Sequence, residues 1–497
     1  MKESFFAAAD LGATSGRVIL GALTDGTVRM EPVHRFKTPA LAVGQPAAWH
    51  WDAARLRAEV AAGVRAAAAR AGRLDGVGVD TWGVDYGRLD AAGQLLEDPF
   101  NYRDERVNGV PEAFFADFPP ERLYAESGLQ VMPINTVFQL VAAAGDPGWE
   151  QTETVLMLPD LLAGWLSGVH AAELTIASTS GLLDVANRQW SPLILGHLKE
   201  RYGLDLSRRL PPLTAPGAVL GPLDPAVAPG GPPVVAVAAH DTASAVAAIP
   251  AASDRFAYVS CGTWSLVGLE LDAPVTTEAS RLANFSNELG VFGTVRYLQN
   301  VMGLWVLEQT IATFEGRGQP WDRAAVLAAA AQAEPLALVL DMSDDRLRPP
   351  GDMPARLAAM AAAAGQPVPD SQAGWARAIL DSLALAYRRS IRQAQALAGR
   401  EAEVVHIVGG GCQNRLLCQL TADAVGLPVV AGPSEGTALG NILVQAQATG
   451  RLGDSLADLR RVAAASTATT AYQPGALGLA PERWAEAERR AYGSAAV

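Results

Sequence analysis

One pattern of strand, tight turn and strand occurs twice in this chain of 497 residues. In the first copy the apolar residues 5–9 precede a turn at 10–17, and in the second copy residues 256–259 precede a turn at 260–265. Both turns are rich in Gly, Thr and Ser, and an apolar run follows each of them, as in a hairpin. Because backbone N–H groups and hydroxyls converge in such turns, they bind phosphate groups without lysine. The repeat therefore predicts a duplicated domain whose two halves hold one nucleotide.

The chain is longer than the number of residues that one hydrophobic core usually accommodates. We therefore expect two domains, at residues 1–243 and 244–497. Hydrophobic residues make up 49% of the chain and charged residues 18%, which is typical of a well-buried globular protein. Apolar periodicity predicts an α/β fold, with helices at 51–71, 300–315 and 371–398 and buried strands at 77–80, 234–238 and 404–408.

The charge pattern excludes several classes of function. A net charge of −13 argues against a nucleic acid as the main partner, because affinity for a phosphate backbone depends on clustered cations. Lysine occurs only at positions 2, 37 and 199, and the absence of a GxxxxGK[ST] run excludes a P-loop. The sequence also lacks the GxSxG pattern of serine hydrolases and the HxxxH spacing of zinc sites. Phosphate chemistry in this chain must therefore depend on backbone amides, hydroxyls, arginine and a metal ion.

The cysteine count bears on the compartment. The three cysteines, Cys261, Cys412 and Cys418, are too few for a disulfide framework, which fits a reducing environment. No apolar run reaches the length that spans a membrane, and the first residues lack the apolar segment of a signal peptide. We therefore expect a cytoplasmic protein with no membrane partner.

Asp241 is the strongest single candidate for a catalytic residue. It follows the buried strand predicted at 234–238, and open α/β sheets bind ligands beyond the carboxyl ends of their strands. A carboxylate in alanine-rich surroundings, oriented by His240 and Thr242, can accept a proton from an attacking hydroxyl. The alternative is that Asp241 only caps the following helix, and a cap can also serve as a base.

The first repeated turn carries its own candidates. Asp10 ends the first strand and is suited to hold Mg²⁺ beside phosphate groups, although an ordinary Asx turn is the alternative. Thr14, Ser15 and Arg17 are candidates for phosphate contacts, but a lone arginine is more often simply solvated.

Two further segments indicate ligand contacts. The glycines at 409–411 follow a strand and precede a helix, so a nucleotide can lie against their bare backbone; a plain tight turn is the alternative. Residues 80–86 combine the indole of Trp82 with a hydroxyl and two carboxylates, a mixture that suits a polyol. For that segment the alternative is a β-turn with a core tryptophan.

Six short motifs follow one another along the chain. They are DLGATSGR at 10–17, DTWGVD at 80–85, AHDTAS at 239–244, SCGTWS at 260–265, GGGCQN at 409–414 and EGTALGN at 435–441. Each motif alone is weak, but the combination is specific and resembles the FGGY carbohydrate kinases over residues 5–475. Within the family the motifs are most similar to the kinases that act on L-rhamnulose.

The resemblance implies an α/β fold of two ribonuclease-H-like (actin-like ATPase) domains that flank a deep catalytic cleft. It implies Mg²⁺–ATP mainly on the second domain, the ketose on the first, and Asp241 as the proton acceptor. The implied ATP contacts are Ala13, Thr14, Ser15, Gly16, Arg17, Thr263 and Gly410. The implied sugar contacts are Gly83, His240, Asp241, Thr242 and Asn300.

The chain departs from the family pattern at two places. Many members carry a lysine in the segment that aligns with residues 132–136, and this chain has none there. Glu308 stands where related kinases have a glutamine that contacts the nucleotide, so we include it among the ATP contacts. A carboxylate near ATP would repel it unless the carboxylate were paired or turned away.

These observations predict an enzyme that uses ATP and Mg²⁺ to phosphorylate the 1-hydroxyl of a ketose, with L-rhamnulose as the expected substrate. The same motifs would serve a kinase for L-fuculose, L-xylulose or L-ribulose. An actin-like nucleotide-dependent binding protein is the alternative from another class. The expected partners are the small sugar and ATP, with the chain as a monomer or a homodimer.

Overall fold

The structure is a computed structural model that describes residues 3–45 and 47–493. Residues 1, 2, 46 and 494–497, which fall within the two predicted domain ranges, lie outside the described residues. The chain forms two compact units. Among the described residues, the first comprises 3–45, 47–250, 271–297 and 436–467, and the second comprises 251–270, 298–435 and 468–493. The predicted division after residue 243 stays a prediction.

The strands, in chain order, have the following bounds. They are Ser4–Leu11 (β1), Ser15–Thr24 (β2), Thr27–Lys37 (β3), Ala40–Val43 (β4), Ala48–Trp51 (β5), Gly76–Thr81 (β6), Tyr86–Leu89 (β7), Thr154–Met157 (β8), Ala172–Glu173 (β9), Leu183–Asp184 (β10), Gln189–Trp190 (β11), Leu213–Thr214 (β12), Ala218–Pro222 (β13), Pro233–Ala236 (β14), Phe256–Cys261 (β15), Trp264–Leu271 (β16), Ser286–Leu289 (β17), Val295–Met302 (β18), Val404–Val408 (β19), Val429–Ala431 (β20) and Thr470–Tyr472 (β21).

The α-helices are interleaved with these strands. They are Ala53–Ala71 (α1), Val110–Phe115 (α2), Pro120–Ser127 (α3), Thr136–Ala142 (α4), Leu158–Ser167 (α5), Leu174–Ala177 (α6), Pro192–Tyr202 (α7), Asp241–Ala247 (α8), Glu278–Leu282 (α9), Trp305–Gly316 (α10), Arg323–Gln332 (α11), Met353–Ala363 (α12), Gln372–Ala398 (α13), Arg415–Val425 (α14), Gly436–Ala448 (α15), Leu456–Ser466 (α16) and Pro481–Tyr492 (α17). In the described part of the chain no helix is long and apolar enough to cross a membrane.

The main sheet of the first unit has the strand order β13-β14-β6-β1-β2-β3. The strands β1 and β2 form the predicted first hairpin, while β1 runs parallel to β6 and β6 runs parallel to β14. Three neighbouring parallel strands therefore end at the same edge of this sheet.

Helices cover both faces of this sheet. Gly63 of α1 approaches Val18 of β2, and Gly21 of the same strand approaches Ile442 of α15. Because side chains alternate along a strand, Val18 and Gly21 point to opposite faces. Burial on both faces explains why β1 reads as an almost continuous apolar run, with Phe6 and Ala8 fully buried.

The second unit contains the second hairpin and repeats this connectivity. Its sheet includes the strand order β18-β16-β15-β19-β20-β21. The strands β15 and β16 are antiparallel, whereas β15, β19 and β20 run parallel to one another. The duplication that the two turns predicted is therefore confirmed in the strand order.

The predicted long helix is confirmed as α13, and Ser371 caps it by accepting a hydrogen bond from the amide of Gly374. The helix predicted at 300–315 begins only at Trp305, because residues 300–302 extend β18. Gly303 separates the two elements at a close backbone approach. A Cβ at Gly303 would lie 2.6 Å from the carbonyl carbon of Trp264.

Candidate active site

Three carboxylates mark the shared strand edge of the first unit. Asp10 near the end of β1 is the register partner of Asp80 in β6, and Thr81 bridges to His240, which directly precedes Asp241. The carboxyl ends of parallel strands meet at one edge, so this topology gathers residues that are 70 and more positions apart. Sequence analysis singled out Asp10 and Asp241 but assigned no separate role to Asp80.

The electrostatics link these carboxylates. Burial, together with the charges of Asp10 and Asp241, raises the pKa of Asp80 well above its ordinary value. Burial also raises the pKa of Asp241; His240 opposes this shift and the charge of Asp10 adds to it. An acidic group with a raised pKa is a better proton acceptor than an ordinary surface carboxylate.

Arg17 and Asp10 form an ion pair within the first hairpin. Nη2 and Nε of Arg17 lie 2.7 Å and 3.0 Å from Oδ2 of Asp10. The side chain of Asp10 is 6% exposed and that of Arg17 is 29% exposed. The arginine is therefore tied to the carboxylate and still partly open to solvent.

The turn of the first hairpin is held by hydrogen bonds to its carbonyl groups. The hydroxyl of Thr38 donates to the carbonyl of Gly12 over 2.9 Å, and the Thr38 amide donates to the carbonyl of Thr14 over 3.3 Å. Thr14 and Ser15 are exposed, Ala13 is half-buried and Gly16 is buried. A Cβ at Gly16 would lie 2.3 Å from the ring of Phe36, so the glycine is required for packing.

Asp241 is the first residue of α8, and His240 occupies the N-cap position. The N-cap alternative for Asp241 is therefore wrong. Its Oδ1 accepts hydrogen bonds from the amide of Thr242 at 2.6 Å and from the Thr242 hydroxyl at 3.2 Å. The side chain remains 30% exposed, so it is fixed at one oxygen and accessible to a ligand.

Glu173 supports the backbone that leads into Asp241, and sequence analysis missed it. Its Oε2 accepts hydrogen bonds from the amide of Ala239 at 3.0 Å and from the hydroxyl of Thr175. The same hydroxyl accepts a hydrogen bond from the amide of His240 at 3.2 Å. Burial raises the pKa of Glu173 to about 7, although these donors oppose the shift.

His240 contacts a buried ion pair that sequence analysis also missed. Its Nδ1 lies 3.1 Å from Oε2 of Glu288 and 3.2 Å from Nη2 of Arg296. Its Nε2 lies 3.4 Å from Oδ1 of Asp241. The imidazole thus lies between the candidate base and a fully buried guanidinium.

The segment with the candidate polyol contacts is organised by Asp85. Its Oδ2 accepts hydrogen bonds from the indole nitrogens of Trp51 at 2.6 Å and Trp82 at 2.8 Å, and its Oδ1 accepts one from Gln139 at 3.1 Å. Both indoles are buried. The neighbouring Gly83 is tightly packed, since a Cβ there would lie 3.1 Å from the hydroxyl oxygen of Thr179.

In the second unit the turn at Gly262 and Thr263 is held in the same manner as the first. The amide of Gly303 donates to the carbonyl of Thr263 over 3.1 Å, and the amide of Leu304 donates to the carbonyl of Gly262 over 3.0 Å. Both copies of the repeated turn therefore have their carbonyl groups bonded to a neighbouring segment.

The glycine run after β19 packs against the second hairpin. A Cβ at Gly411 would lie 2.1 Å from Sγ of Cys261, and Gly409 has a φ of +79° in the left-handed region. Gly410 differs from both, because it is exposed and a Cβ there would meet nothing within 4 Å. Of these three glycines, only Gly410 therefore faces open space.

The two remaining candidates also lie in the second unit. Asn300 is half-buried in β18. Glu308 lies in the first turn of α10, where both of its carboxylate oxygens contact the guanidinium of Arg323. The carboxylate is thus paired, which is one of the two arrangements that would allow a nucleotide nearby.

Asp10 is the candidate ligand for a divalent cation. Within residues 3–45 and 47–493 no cluster of three or more His, Cys, Asp or Glu side chains is arranged to hold a metal ion. Mg²⁺ commonly takes only one or two carboxylates and completes its shell with water and substrate phosphates. Asp10, next to the exposed turn of the first hairpin, suits that mode of binding.

Comparison with known families gives two matches. Residues 5–248 match the N-terminal domain of the FGGY family of carbohydrate kinases, and residues 257–449 match the C-terminal domain of the same family. Together they span most of the chain.

Curated relatives are similar over nearly the whole length. The chain is 39% identical to the rhamnulokinase of Bacteroides thetaiotaomicron, over 95% of this chain and 96% of that protein. It is 38% identical to the rhamnulokinase of Klebsiella pneumoniae subsp. pneumoniae, over 94% of each chain. It is 37% identical to the rhamnulokinase of Enterococcus faecalis, over 91% of each chain.

Solved structures of similar fold include two sugar or polyol kinases. The gluconate kinase of Lactobacillus acidophilus superimposes with a TM-score of 0.77 at 15% identity, covering 98% of this chain and 96% of that one. The glycerol kinase of Plasmodium falciparum with ADP superimposes with a TM-score of 0.76 at 13% identity, covering 98% of each chain. These matches confirm the predicted actin-like fold of two sheet-rich domains.

Proposed function

This chain belongs to the FGGY family of carbohydrate kinases, and we propose that it transfers the terminal phosphoryl group of ATP to the 1-hydroxyl of L-rhamnulose. The enzyme class follows from the family. The choice of sugar is supported by rhamnulokinases that are 37–39% identical over at least nine-tenths of this chain.

The observation that carries the proposal is the setting of Asp241. Asp241 lies at the edge of the sheet where the parallel strands end. Its carboxylate is held at Oδ1 by Thr242, has a raised pKa and remains partly exposed. These properties suit a general base that takes the proton of the sugar hydroxyl as the oxygen attacks phosphorus. Positioning and charge stabilisation then account for most of the rate.

The proposed contacts divide by ligand. For ATP they are Ala13, Thr14, Ser15, Gly16, Arg17, Thr263, Glu308 and Gly410. For the sugar they are Trp82, Gly83, His240, Asp241, Thr242 and Asn300. Trp82 offers an indole whose orientation Asp85 fixes, and Gly410 offers open space for the nucleotide.

Asp10 is the residue proposed to hold Mg²⁺, which when bound would neutralise charge on the phosphates of ATP. The chain's own contribution at this place is the Asp10–Arg17 pair. It fixes the side chain of Arg17 beside the exposed turn, where the guanidinium can contact a phosphate.

The remaining proposals concern the organisation of the protein. We place the boundary between the domains after residue 243, close to the end of the first family match at residue 248. We propose a cytoplasmic enzyme that acts as a monomer or a homodimer.

A panel of ketoses tests the proposed function. ADP formation would be measured with L-rhamnulose, L-fuculose, L-xylulose and L-ribulose, with a sugar-free reaction as the control. We expect the highest kcat/KM with L-rhamnulose. A higher kcat/KM with another ketose would identify that ketose as the substrate in place of L-rhamnulose. Slow ATP turnover that is the same with and without each sugar would favour an actin-like ATPase.

A further inference from the structure

Glu288 in β17 and Arg296 in β18 form a buried ion pair that the proposed function leaves unused. Nη1 of Arg296 lies 3.0 Å from Oε2 of Glu288, and the two side chains are 0% and 4% exposed. Buried charges are costly to keep, and replacing such a pair with apolar residues is often neutral for stability. The pair therefore calls for a function beyond holding the fold together.

The contact between Arg296 and His240 defines the state of the imidazole. Nη2 of Arg296 is in hydrogen-bonding geometry with Nδ1 of His240 at 3.2 Å. A guanidinium has only donors and keeps its proton in proteins, so Nδ1 must be the acceptor. In the neutral ring the proton then belongs to Nε2.

Glu288 offers the competing arrangement. Its Oε2 lies 3.1 Å from Nδ1, and an Nδ1–H group could donate to it. The Nδ1–Oε2 contact, however, is not in hydrogen-bonding geometry, whereas the contact between Nη2 of Arg296 and Nδ1 is. Burial raises the pKa of Glu288, but the neighbouring Arg296 and His240 together more than offset the effect, so the pKa lies below its ordinary value. Glu288 thus acts as the counter-charge of Arg296.

We propose that Arg296, neutralised by Glu288, is a positioning residue that holds His240 with its proton on Nε2, facing the carboxylate of Asp241. The inference rests on the proposed function, in which Asp241 is the base. Nε2 lies 3.4 Å from Oδ1 of Asp241, the same oxygen that accepts two hydrogen bonds from Thr242.

The two oxygens of Asp241 therefore have different roles. Two donors from Thr242 bond to Oδ1, and Nε2 of His240 lies 3.4 Å from the same oxygen, which leaves Oδ2 as the oxygen that takes the proton of the sugar hydroxyl. With the other tautomer a lone pair on Nε2 would face the carboxylate and repel it. Arg296 therefore acts on the base through the imidazole, without contact with the reacting atoms.

The tautomer can be measured directly. Nitrogen-15 NMR at about pH 8 distinguishes protonated from unprotonated ring nitrogens, and the chain has only six histidines. A His240→Asn variant assigns the signals. We expect a protonated Nε2 and an unprotonated Nδ1 at His240 in the wild-type protein. The opposite tautomer would overturn the inference.

A double-mutant comparison tests the functional link. We expect Glu288→Leu/Arg296→Met, which removes the pair together, to keep the KM for ATP and lower kcat with the ketose by about tenfold. In a His240→Asn background the same two changes should lower kcat less than about twofold, because the imidazole they act on is gone. Losses that multiply in the two backgrounds would overturn the inference, as would an unchanged kcat in the pair variant.

Two controls separate the possible failures. Glu278→Gln/Arg281→Met removes a more exposed pair in the same unit and should leave kcat unchanged. The wild-type ketose panel tests the proposed function by itself, and the NMR measurement needs no turnover. An inactive wild type would therefore contradict the proposed function, whereas an active wild type with the Nδ1–H tautomer would contradict only the role of Arg296.

Discussion

The side-chain amide of Asn441 donates a 2.6 Å hydrogen bond to Oδ2 of Asp80, although 361 positions separate the two residues. Gln445, one turn further along α15, donates to Oδ1 of Asn441 at 2.6 Å and to the carbonyl of Ala7 at 3.1 Å. Asn441, Gln445 and Asp80 are fully buried. One face of α15 thus fixes the two strands that carry Asp10 and Asp80.

The first prediction concerns this anchor. Asn441→Ala removes the donor and leaves the buried carboxyl of Asp80 without this partner, so we expect the free energy of unfolding to fall by about 1–3 kcal/mol. Urea denaturation followed by tryptophan fluorescence measures the change. Gln447→Ala on the same helix, where the side chain bonds to Asp454 near the surface, should cost less than about 0.5 kcal/mol. Equal losses in the two variants would show that the contact with Asp80 is not special.

The second prediction is a dependence of sugar binding on pH. Burial raises the pKa of Asp85 to about 6, although the indole groups of Trp82 and Trp51 oppose the shift. Below pH 6 the carboxyl is protonated and becomes a weaker acceptor for both indoles, so the KM for the ketose should rise as pH falls from 7 to 5.

Asp85→Asn provides the comparison. The variant has no charge at any pH, so we expect a KM for the ketose that is roughly tenfold higher at pH 7, because hydrogen bonds to a charged group contribute about 1.5 kcal/mol or more. Its KM for the ketose should change less between pH 7 and 5 than that of the wild type, and its KM for ATP should be unaffected. A variant that keeps the full wild-type pH dependence would exclude Asp85 as the titrating group.

The third prediction uses two adjacent glycines as a matched pair. Gly411→Ala forces a methyl group against Cys261, and such overpacking costs about 1–3 kcal/mol of stability. Gly410→Ala meets open space, so its stability should stay within about 0.5 kcal/mol of the wild type.

The two glycine variants should also differ in kinetics. If the nucleotide lies over Gly410 as proposed, the methyl group added by Gly410→Ala should raise the KM for ATP without changing thermal unfolding. Steady-state kinetics at saturating ketose measures this. An unchanged KM for ATP in Gly410→Ala would remove this residue from the nucleotide site.

The fourth prediction concerns Glu308 and Arg323. Arg323→Ala leaves the charge of Glu308 uncompensated, and we expect repulsion to raise the KM for ATP by about threefold, the effect of under 1 kcal/mol at a partly exposed site. Glu308→Gln/Arg323→Ala has no charge at either position and should restore the KM. If both variants bind ATP like the wild type, Glu308 does not lie near the nucleotide.

The sequence could predict the parts of the site that depend on local patterns. The two hairpins, the strand before Asp241 and the glycine run are each encoded within about ten residues, and the structure contains all of them. Asp52 at the start of α1 is a similar local feature, since its side chain accepts a hydrogen bond from the amide of Arg55. Local features such as these can be predicted from the spacing of apolar residues and from the residue types that favour turns and caps.

Other parts of the site could not be predicted because they depend on distant partners. No local sequence pattern identifies Glu173, Glu288 or Arg296 as part of the site. Their roles depend on contacts with the segment 239–241, which form only when the chain folds. The start of α10 was misplaced for a related reason. Apolar residues at 301 and 302 fit a helix or a buried strand equally well, and the close approach of Gly303 to the second hairpin decides between them.

The central claim is that Asp241 is the base for the sugar hydroxyl, and the kcat of Asp241→Asn with L-rhamnulose tests it most directly. Asparagine preserves the shape of the side chain but cannot take the proton, so we predict a fall in kcat of roughly 10²- to 10⁴-fold with little change in the KM for the ketose. A kcat within about threefold of the wild-type value would contradict the role assigned to Asp241.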